Sequence, residues 1–377
     1  MHTKNRLPIY KKKRFWAGVL LAQFLLFYGF SKSLLMISFF EKFFEFQKRL
    51  HQMIFSGLSF SVGDIIYVVL GIVLLYSLIA LFKKKNRNTS LLRILIIVNI
   101  FYFTYQIFWG MLYFQTPIIK KLSSQDTPDL NKAKKLALHY LEKCKLTRAS
   151  IHEDHNGIFI VTNLRAVQQE ILFRQTQLPK YISDKKAPQI LSIKPSLFKN
   201  VMNFTGILGY YNPFTAEAQY NAELPHTFIP FTTAHESSHQ LGFAREQEAN
   251  FIGYLIGVHS SNSELRYSTE YFTLKSLLHF IVDKDPEFVK SVIQNYSPGM
   301  KRDQAYEKSF VLRHQGWLDN FFGFTNNLFL KSNQQEGSVT YSYFIDLLLN
   351  YENRHKKRIV SGDTILKTQM MKKNLLP

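Results

Sequence analysis

The sequence predicts a mostly helical α+β protein, with an N-terminal membrane region of three helices followed by one large soluble domain. Long uncharged apolar runs in the first third, apolar residues at helical spacing through most of the remainder, and two short glycine-punctuated stretches with strand character carry that expectation. About 260 residues follow the third apolar run, enough for one large domain or two lobes.

The runs Ile65 to Phe82 and Ile94 to Phe114 are long enough to cross a hydrocarbon core. Phe15 to about Ser33 is a third, broken late by Lys32, which can snorkel to the interface. No small-residue cleavage site follows that first run, so it reads as a span rather than a cleaved signal peptide. Orientation follows from the basic residues. Lys4, Arg6, Lys11, Lys12, Lys13 and Arg14 precede the first span, and Lys83, Lys84, Lys85, Arg87 and Arg93 fill the short loop between the second and third. The first loop instead mixes Lys42, Lys48 and Arg49 with Glu41, Glu45 and Asp64. An excess of Lys and Arg marks the cytoplasmic side, so the expected arrangement is a cytoplasmic tail over 1–14, a membrane region over 15–115 and an extracytoplasmic domain over 116–377.

In the soluble part, Lys132 to Leu146 and Leu164 to Thr176 show helical spacing, Gly157 to Thr162 reads as a strand, and Ser123 to Asn131 is a polar linker. Phe204 to Glu223 is loop and strand, with Ala216 to Glu223 as an expected edge strand. Helices return at Thr269 to His279, Pro286 to Gln294 and Tyr341 to Tyr351. Cys144 is the single cysteine, which excludes an intrachain disulfide and a cysteine-based metal site; it reads as a small residue on a helix face. The net charge of +20 does not imply nucleic acid as a partner. Many of the basic residues flank the spans and no nucleic-acid module signature is present, whereas a basic surface suits an anionic bilayer face or acidic envelope polymers.

The strongest chemical signal is His235, Glu236 and His239, an HExxH motif. On a helix, positions i and i+4 share a face one turn apart, so both imidazoles can reach one Zn2+ while Glu236 stands beside it as a base for water. That is the residue set of metal-assisted hydrolysis. A second reading exists, in which Thr233 and Glu236 form a capping box at a helix start; it leaves the paired histidines unexplained. The run from Phe251 to Val258 is too short to span a bilayer, which argues against an intramembrane site.

A third ligand must follow a turn. Six residues after His239 stands Arg245, which stays charged and cannot ligate. Glu246 comes next, and an unbroken helix would carry it about 10 Å further along the axis, out of reach. Gly242 is the residue best able to take an irregular conformation and fold a second helix back. Glu248 competes, but it lies about 200° around that second helix from Glu246, so at most one of the two faces the metal. Only Glu246 has Asn250 one turn along on its own face.

The segment Glu246 to Asn250 resembles the Glu-x-x-Ala-Asp segment of gluzincins, which implies Glu246 as ligand and Asn250 as a residue steadying a ligand histidine. Two departures stand out: the interval from the second histidine is short, and Asn250 replaces an acid with a neutral amide that still accepts from an imidazole N–H. More widely, Phe108 to Tyr113, the HESSHQLGFAREQEANF run, the preceding Pro-Phe-Thr-Ala-Glu-Ala segment and Tyr341 before Ile-Asp-Leu-Leu-Leu resemble an uncharacterised bacterial family, domain of unknown function 3810. That resemblance spans most of the chain. It implies a membrane-anchored, zincin-like metallopeptidase fold and names no substrate. Combined with the orientation above, the expected protein is a zinc metallopeptidase of the bacterial cytoplasmic (inner) membrane, with a peptide or protein substrate outside the cytoplasm and the lipid bilayer as partners. In zincin folds an edge strand takes the substrate as an added strand, the place expected of Ala216 to Glu223. Tyr341 is either a phenol donating to an oxyanion or a packed core residue, and His226 is either a cleft residue or an ordinary exposed one. A catalytically silent zincin-like binding or scaffold protein of the envelope is the alternative function.

Orientation is tested by a reporter active only in the cytoplasm, fused after Pro377. It is expected to be silent; activity there reverses the topology.

Overall fold

A computed structural model describes residues 8–122, 129–188, 192–314 and 343–354. The chain runs α1 (Lys13–Phe30), α2 (Leu34–Phe55), α3 (Val62–Leu81), α4 (Arg87–Phe108), α5 (Leu130–Arg148), α6 (Leu164–Thr176), β1 (Ile193–Pro195), α7 (Lys199–Thr205), β2 (Gly209–Asn212) and β3 (Glu217–Tyr220). Then follow α8 (Ile229–Leu241), α9 (Glu246–Val258), α10 (Ser263–Val282), α11 (Pro286–Gln294) and α12 (Pro298–His314), with residues 343–354 also helical. The described protein is thus mostly helical, with one small sheet.

In the first third, α3 and α4 are each long and apolar enough to cross a membrane. α1 and α2 meet at a bend of 102°, and as one broken unit they add a third candidate span. α1 lies alongside α4 in the same direction: Lys13 Nζ donates to Asn88 Oδ1, Asn99 Nδ2 to the Trp16 carbonyl, and Phe27 packs on Tyr102 and Phe103. The expected third apolar run ends early. Trp109 leaves helical geometry at φ −147° and Gly110–Phe114 forms a largely buried 3-10 segment, in which Leu112 and Tyr113 pack with Phe44 and Ala244 while Met111 packs with Phe27 and Phe40. The helix α2 had no counterpart among the expected elements. Its charges defeat a search for uncharged runs, yet Ile37, Phe40, Phe44, Gln47 and Lys48 are buried on one face.

The sheet has the order β1-β3-β2, parallel between β1 and β3 and antiparallel between β2 and β3. β3 is therefore the central strand, which corrects the expectation of an edge strand at Ala216 to Glu223. The exposed edge nearest the HExxH helix belongs to β2. Gly157 to Thr162 is also not a strand, since only a single bridge joins Glu153 to Phe159. Most of its donors go to side chains: Ile158 N bonds Asp154, Phe159 N bonds Asp303, Val161 N bonds His226 Nδ1 and Thr162 N bonds Glu264, so the pairing stops at the Ile160 N bond to the His152 carbonyl and the Asp154 N bond to the Ile158 carbonyl. His226 is thereby a half-buried acceptor, not an exposed surface residue. Most of the expected linker at Ser123 to Asn131 lies outside the described residues.

α5 and α10 pack along one another, and α9 lies between α10 and α8. Tyr140 and Tyr254 join hydroxyls at 2.8 Å across this core, and Cys144 is fully buried on α5 as a small packing residue. The sheet covers the other side of α8, where Gln240 Nε2 donates to the Ser192 and Ala216 carbonyls at 2.9 and 3.0 Å. The HExxH helix is thus held on both sides.

A buried polar clamp joins the sheet to α3. Glu217 accepts from the backbone N–H of Val62 and Gly63, two of the donors that a helix start leaves without intrahelical partners. Lys194 Nζ lies 2.6 Å from Glu217 and also donates to the Phe55 and Phe60 carbonyls. Asp64, in the first turn of α3, accepts from Ser196 Oγ, Leu197 N and the Tyr210 hydroxyl. A buried, hydrogen-bonded pair is costly to break from one side, because the remaining charge is stranded. Glu217→Ala is accordingly expected to lower stability by about 3–5 kcal/mol. Glu223→Ala, removing an ion pair with Lys199 that stands in water, should barely move the unfolding midpoint. Equal midpoints for the two variants in detergent would show that the clamp does not hold the two regions together.

Candidate metal centre

α8 begins at Ile229 with Pro230 in its first turn, one turn before the motif. Thr233 is therefore inside the helix, where its hydroxyl donates back to the Pro230 carbonyl at 2.7 Å. The capping-box reading is excluded: Glu236 has no helix start to cap. α8 ends at Gly242, which sits in the left-handed region at φ +98° and donates to the His239 carbonyl. A residue with a Cβ is strained there, and a Cβ would also lie 2.7 Å from the Phe44 ring. The chain then turns through Phe243, Ala244 and Arg245, and α9 starts at Glu246.

That turn brings the three expected ligands together. The candidate ligand atoms of His235, His239 and Glu246 lie within 4.8 Å of one another. Glu246 Oε2 is 3.2 Å from His235 Nε2, and Glu246 Oε1 is 3.6 Å from His239 Nε2. Each imidazole is oriented through its other nitrogen. His235 Nδ1 stands 2.8 Å from Asn250 Oδ1 and His239 Nδ1 stands 2.7 Å from the Phe243 carbonyl. Both partners only accept, so each Nδ1 carries the proton and each Nε2 presents a lone pair to the cluster. This is the tautomer a metal requires.

Charge at the site has the same character. Burial disfavours the ionised Glu246, but the two imidazoles outweigh it and hold the carboxyl far below the usual range. Burial likewise works against the His239 cation, and Glu246 raises it to about 9. The Glu246 carboxylate facing two imidazole Nε2 atoms thus draws positive charge to the centre of the cluster, whether as a proton on His239 or as a metal ion in that proton's place. Glu236 is pushed up to about 7 by burial. Its Oε2 is buried with no hydrogen-bond partner among the described residues. A buried carboxylate oxygen without a donor is a costly arrangement unless water or substrate supplies one. Two imidazole nitrogens, one carboxylate and an unpartnered base beside them thus fit a zinc centre of the kind that keeps an open position.

Glu248 lies apart from the cluster. Its Oε1 accepts from Ile118 N at 2.7 Å and lies 3.4 Å from Arg245 Nη1. Arg245 Nη2 in turn donates to the Tyr113 and Gln115 carbonyls at 2.6 and 2.9 Å, and Gln115 Nε2 donates to the Gly242 carbonyl. The second acid and the non-ligating arginine therefore fasten the segment after α4 to the turn between the ligand helices.

Residues not anticipated as part of the site line it. Trp109, at the end of α4, stands 5.8 Å from the His239 ring and 4.6 Å from the Tyr211 ring. Gly209 of β2 backs directly onto Glu236, where a Cβ would fall 2.7 Å from Oε1, so only glycine allows this approach. The Tyr113 phenol is kept protonated by burial and then by the charge of Glu246. Trp109 and Tyr113 belong to a sequence run singled out beforehand; β2 and the Phe243 carbonyl had no signal, because a backbone acceptor and a tertiary approach leave none. Tyr341 lies outside the described residues.

The chain matches the family described as "Protein of unknown function (DUF3810)" over residues 39–349, and it belongs to that family. No curated protein and no solved structure matches it.

Proposed function

We propose that this protein is a membrane-anchored zinc metallohydrolase of the bacterial envelope, and specifically a peptidase. The observation that carries the reading is the convergence of His235 Nε2, His239 Nε2 and Glu246 beside the buried, unpartnered Oε2 of Glu236. His235, His239 and Glu246 would hold the ion, and zinc there supplies Lewis-acid activation of water and of a scissile carbonyl. Glu236 accepts the proton that water loses as its oxygen attacks the carbonyl carbon, then passes that proton to the amine nitrogen as the C–N bond breaks. Asn250 and the Phe243 carbonyl hold the two imidazoles in one tautomer and orientation throughout.

β2 supports a peptide as the substrate. The bond from Asn221 N to the Leu208 carbonyl sets the ladder phase, so residues 210 and 212 face β3 and the N–H and C=O groups of Gly209 and Tyr211 point to the open edge. A peptide added there as a strand lies beside Glu236. In this reading α1, α3 and α4 cross the bacterial inner membrane three times, with the basic N-terminus inside and the site outside. A catalytically silent binding or scaffold protein using the same cleft is the second reading, favoured by Asn250, which orients His235 without the charge that would strengthen it as a ligand.

Glu236→Gln separates the two. It keeps shape and ligands but removes the proton acceptor, so hydrolysis of a mixed peptide library is expected to fall at least 100-fold with zinc content unchanged. Glu246→Gln is expected to lose zinc, while Glu248→Gln retains it. Loss of zinc in Glu248→Gln but not in Glu246→Gln would put the wrong carboxylate on the metal. Equal, metal-independent behaviour of wild type and Glu236→Gln would leave only the scaffold reading.

A further inference from the structure

The walls of the metal centre are built from the ends of the membrane helices. Trp109 terminates α4 and stands 5.8 Å from His239. The hydroxyl of Tyr210, on the edge strand β2, is held by Asp64 in the first turn of α3. Phe44 of α2 packs on Trp109 at 5.8 Å and against the turn at Gly242. No layer of soluble domain intervenes between these helix ends and the ligands.

α2 shows where the lipid surface lies. At 100° per residue, Leu35, Phe39, Phe46 and Met53 fall within about 40° of one another, nearly opposite Ile37, Phe44 and Lys48, which are buried. Leu35, Phe46 and Met53 are 80%, 67% and 72% exposed. Lys42 and Arg49 border this stripe and are exposed. A helix with one apolar stripe edged by basic residues, joined at 102° to α1 and by a short loop to α3, has the form of a helix lying in the plane of the lipid headgroups. Its opposite face carries the floor of the site. The occupant of the stripe is thus the outer leaflet, continuous with the lipid around α1 and α3.

We propose that the site acts at the lipid–water boundary, on polypeptide segments directly outside a membrane anchor. This rests on the metallopeptidase reading and names its substrate class. A chain leaving the bilayer beside α4 needs only a few residues, at about 3.3 Å each, to reach the edge of β2. A freely soluble polypeptide must instead enter between the domain and the membrane surface.

The test uses the full-length protein in vesicles of mixed zwitterionic and anionic phospholipid, together with a substrate of one transmembrane helix bearing an outward tail. The tail carries repeats of one mixed sequence over about 40 residues, reaching roughly 130 Å when extended, so every position offers the same chemistry at a different height. Mass spectrometry of the products is expected to place cuts within about 12 residues of the anchor, at least tenfold more often than further out. Cuts spread evenly along the tail, or equal cutting of the detached soluble tail, overturn the proposal while leaving the peptidase reading intact. No cutting beyond that of Glu236→Gln removes the peptidase reading and this inference with it. A second measurement does not depend on catalysis. Because Cys144 is fully buried, Phe46→Cys can be labelled alone with an environment-sensitive fluorophore. Quenching by brominated lipid is expected; a fluorophore quenched only by aqueous iodide contradicts the seating of α2 and overturns the proposal.

Discussion

Two helices meet at Gly242, and the left-handed conformation of that residue is the constraint on which the site depends. His235 and His239 lie on α8, but a carboxylate encoded seven residues later can join them only if the helix stops and the chain reverses. The turn does this in four residues, Gly242 to Arg245, and the carbonyl that it releases at Phe243 becomes the acceptor that fixes His239. Arg245 in the same turn grips the carbonyls of Tyr113 and Gln115, so the reversal that assembles the ligand set also docks the end of α4. Packing enforces the geometry from below, since Phe44 leaves no room for a side chain at position 242.

The long apolar helices of the first third are consequently part of the site's framework. Glu217 and Lys194 bind the start of α3 to the sheet, Asp64 holds β2, and Trp109 closes over His239. These contacts fasten β2 and β3 to the start of α3 and the end of α4, so the orientation of the edge strand relative to Glu236 follows from the positions of those two helices. Substitutions at the clamp should therefore affect any chemistry at the centre without touching its ligands.

Much of this was legible in the sequence, for identifiable reasons. Helical periodicity located α5 and α6 because each buries one face, whereas only Thr269 to His279 of α10 was expected, because that helix is buried around most of its circumference. The HExxH spacing with Gly242 located the turn that gathers His235, His239 and Glu246 because i,i+4 geometry and backbone sterics are local. Helix angle allowed only one of Glu246 and Glu248 to face the histidines, and Asn250 on the same face pointed to Glu246. What failed was non-local. The segment Gly157 to Thr162 has strand composition, but three of its backbone donors are taken by Asp303, His226 and Glu264 from distant positions. β3 looked like an edge because strand order is set by long-range pairing. α2 was missed because charged residues interrupt its apolar ones, and α12 because its weak apolar pattern is overridden by packing on α5. Tyr341 stands outside the described residues and contributes nothing to this account.

Metal occupancy bears most directly on the central claim. The full-length protein, purified without chelators, is expected to contain one zinc per chain, and absorption spectroscopy at the zinc edge should show two imidazoles and oxygen donors with no sulfur. His239→Ala should empty the site. A wild type free of zinc after incubation with the ion, or a metal content unchanged by His239→Ala, would contradict the account.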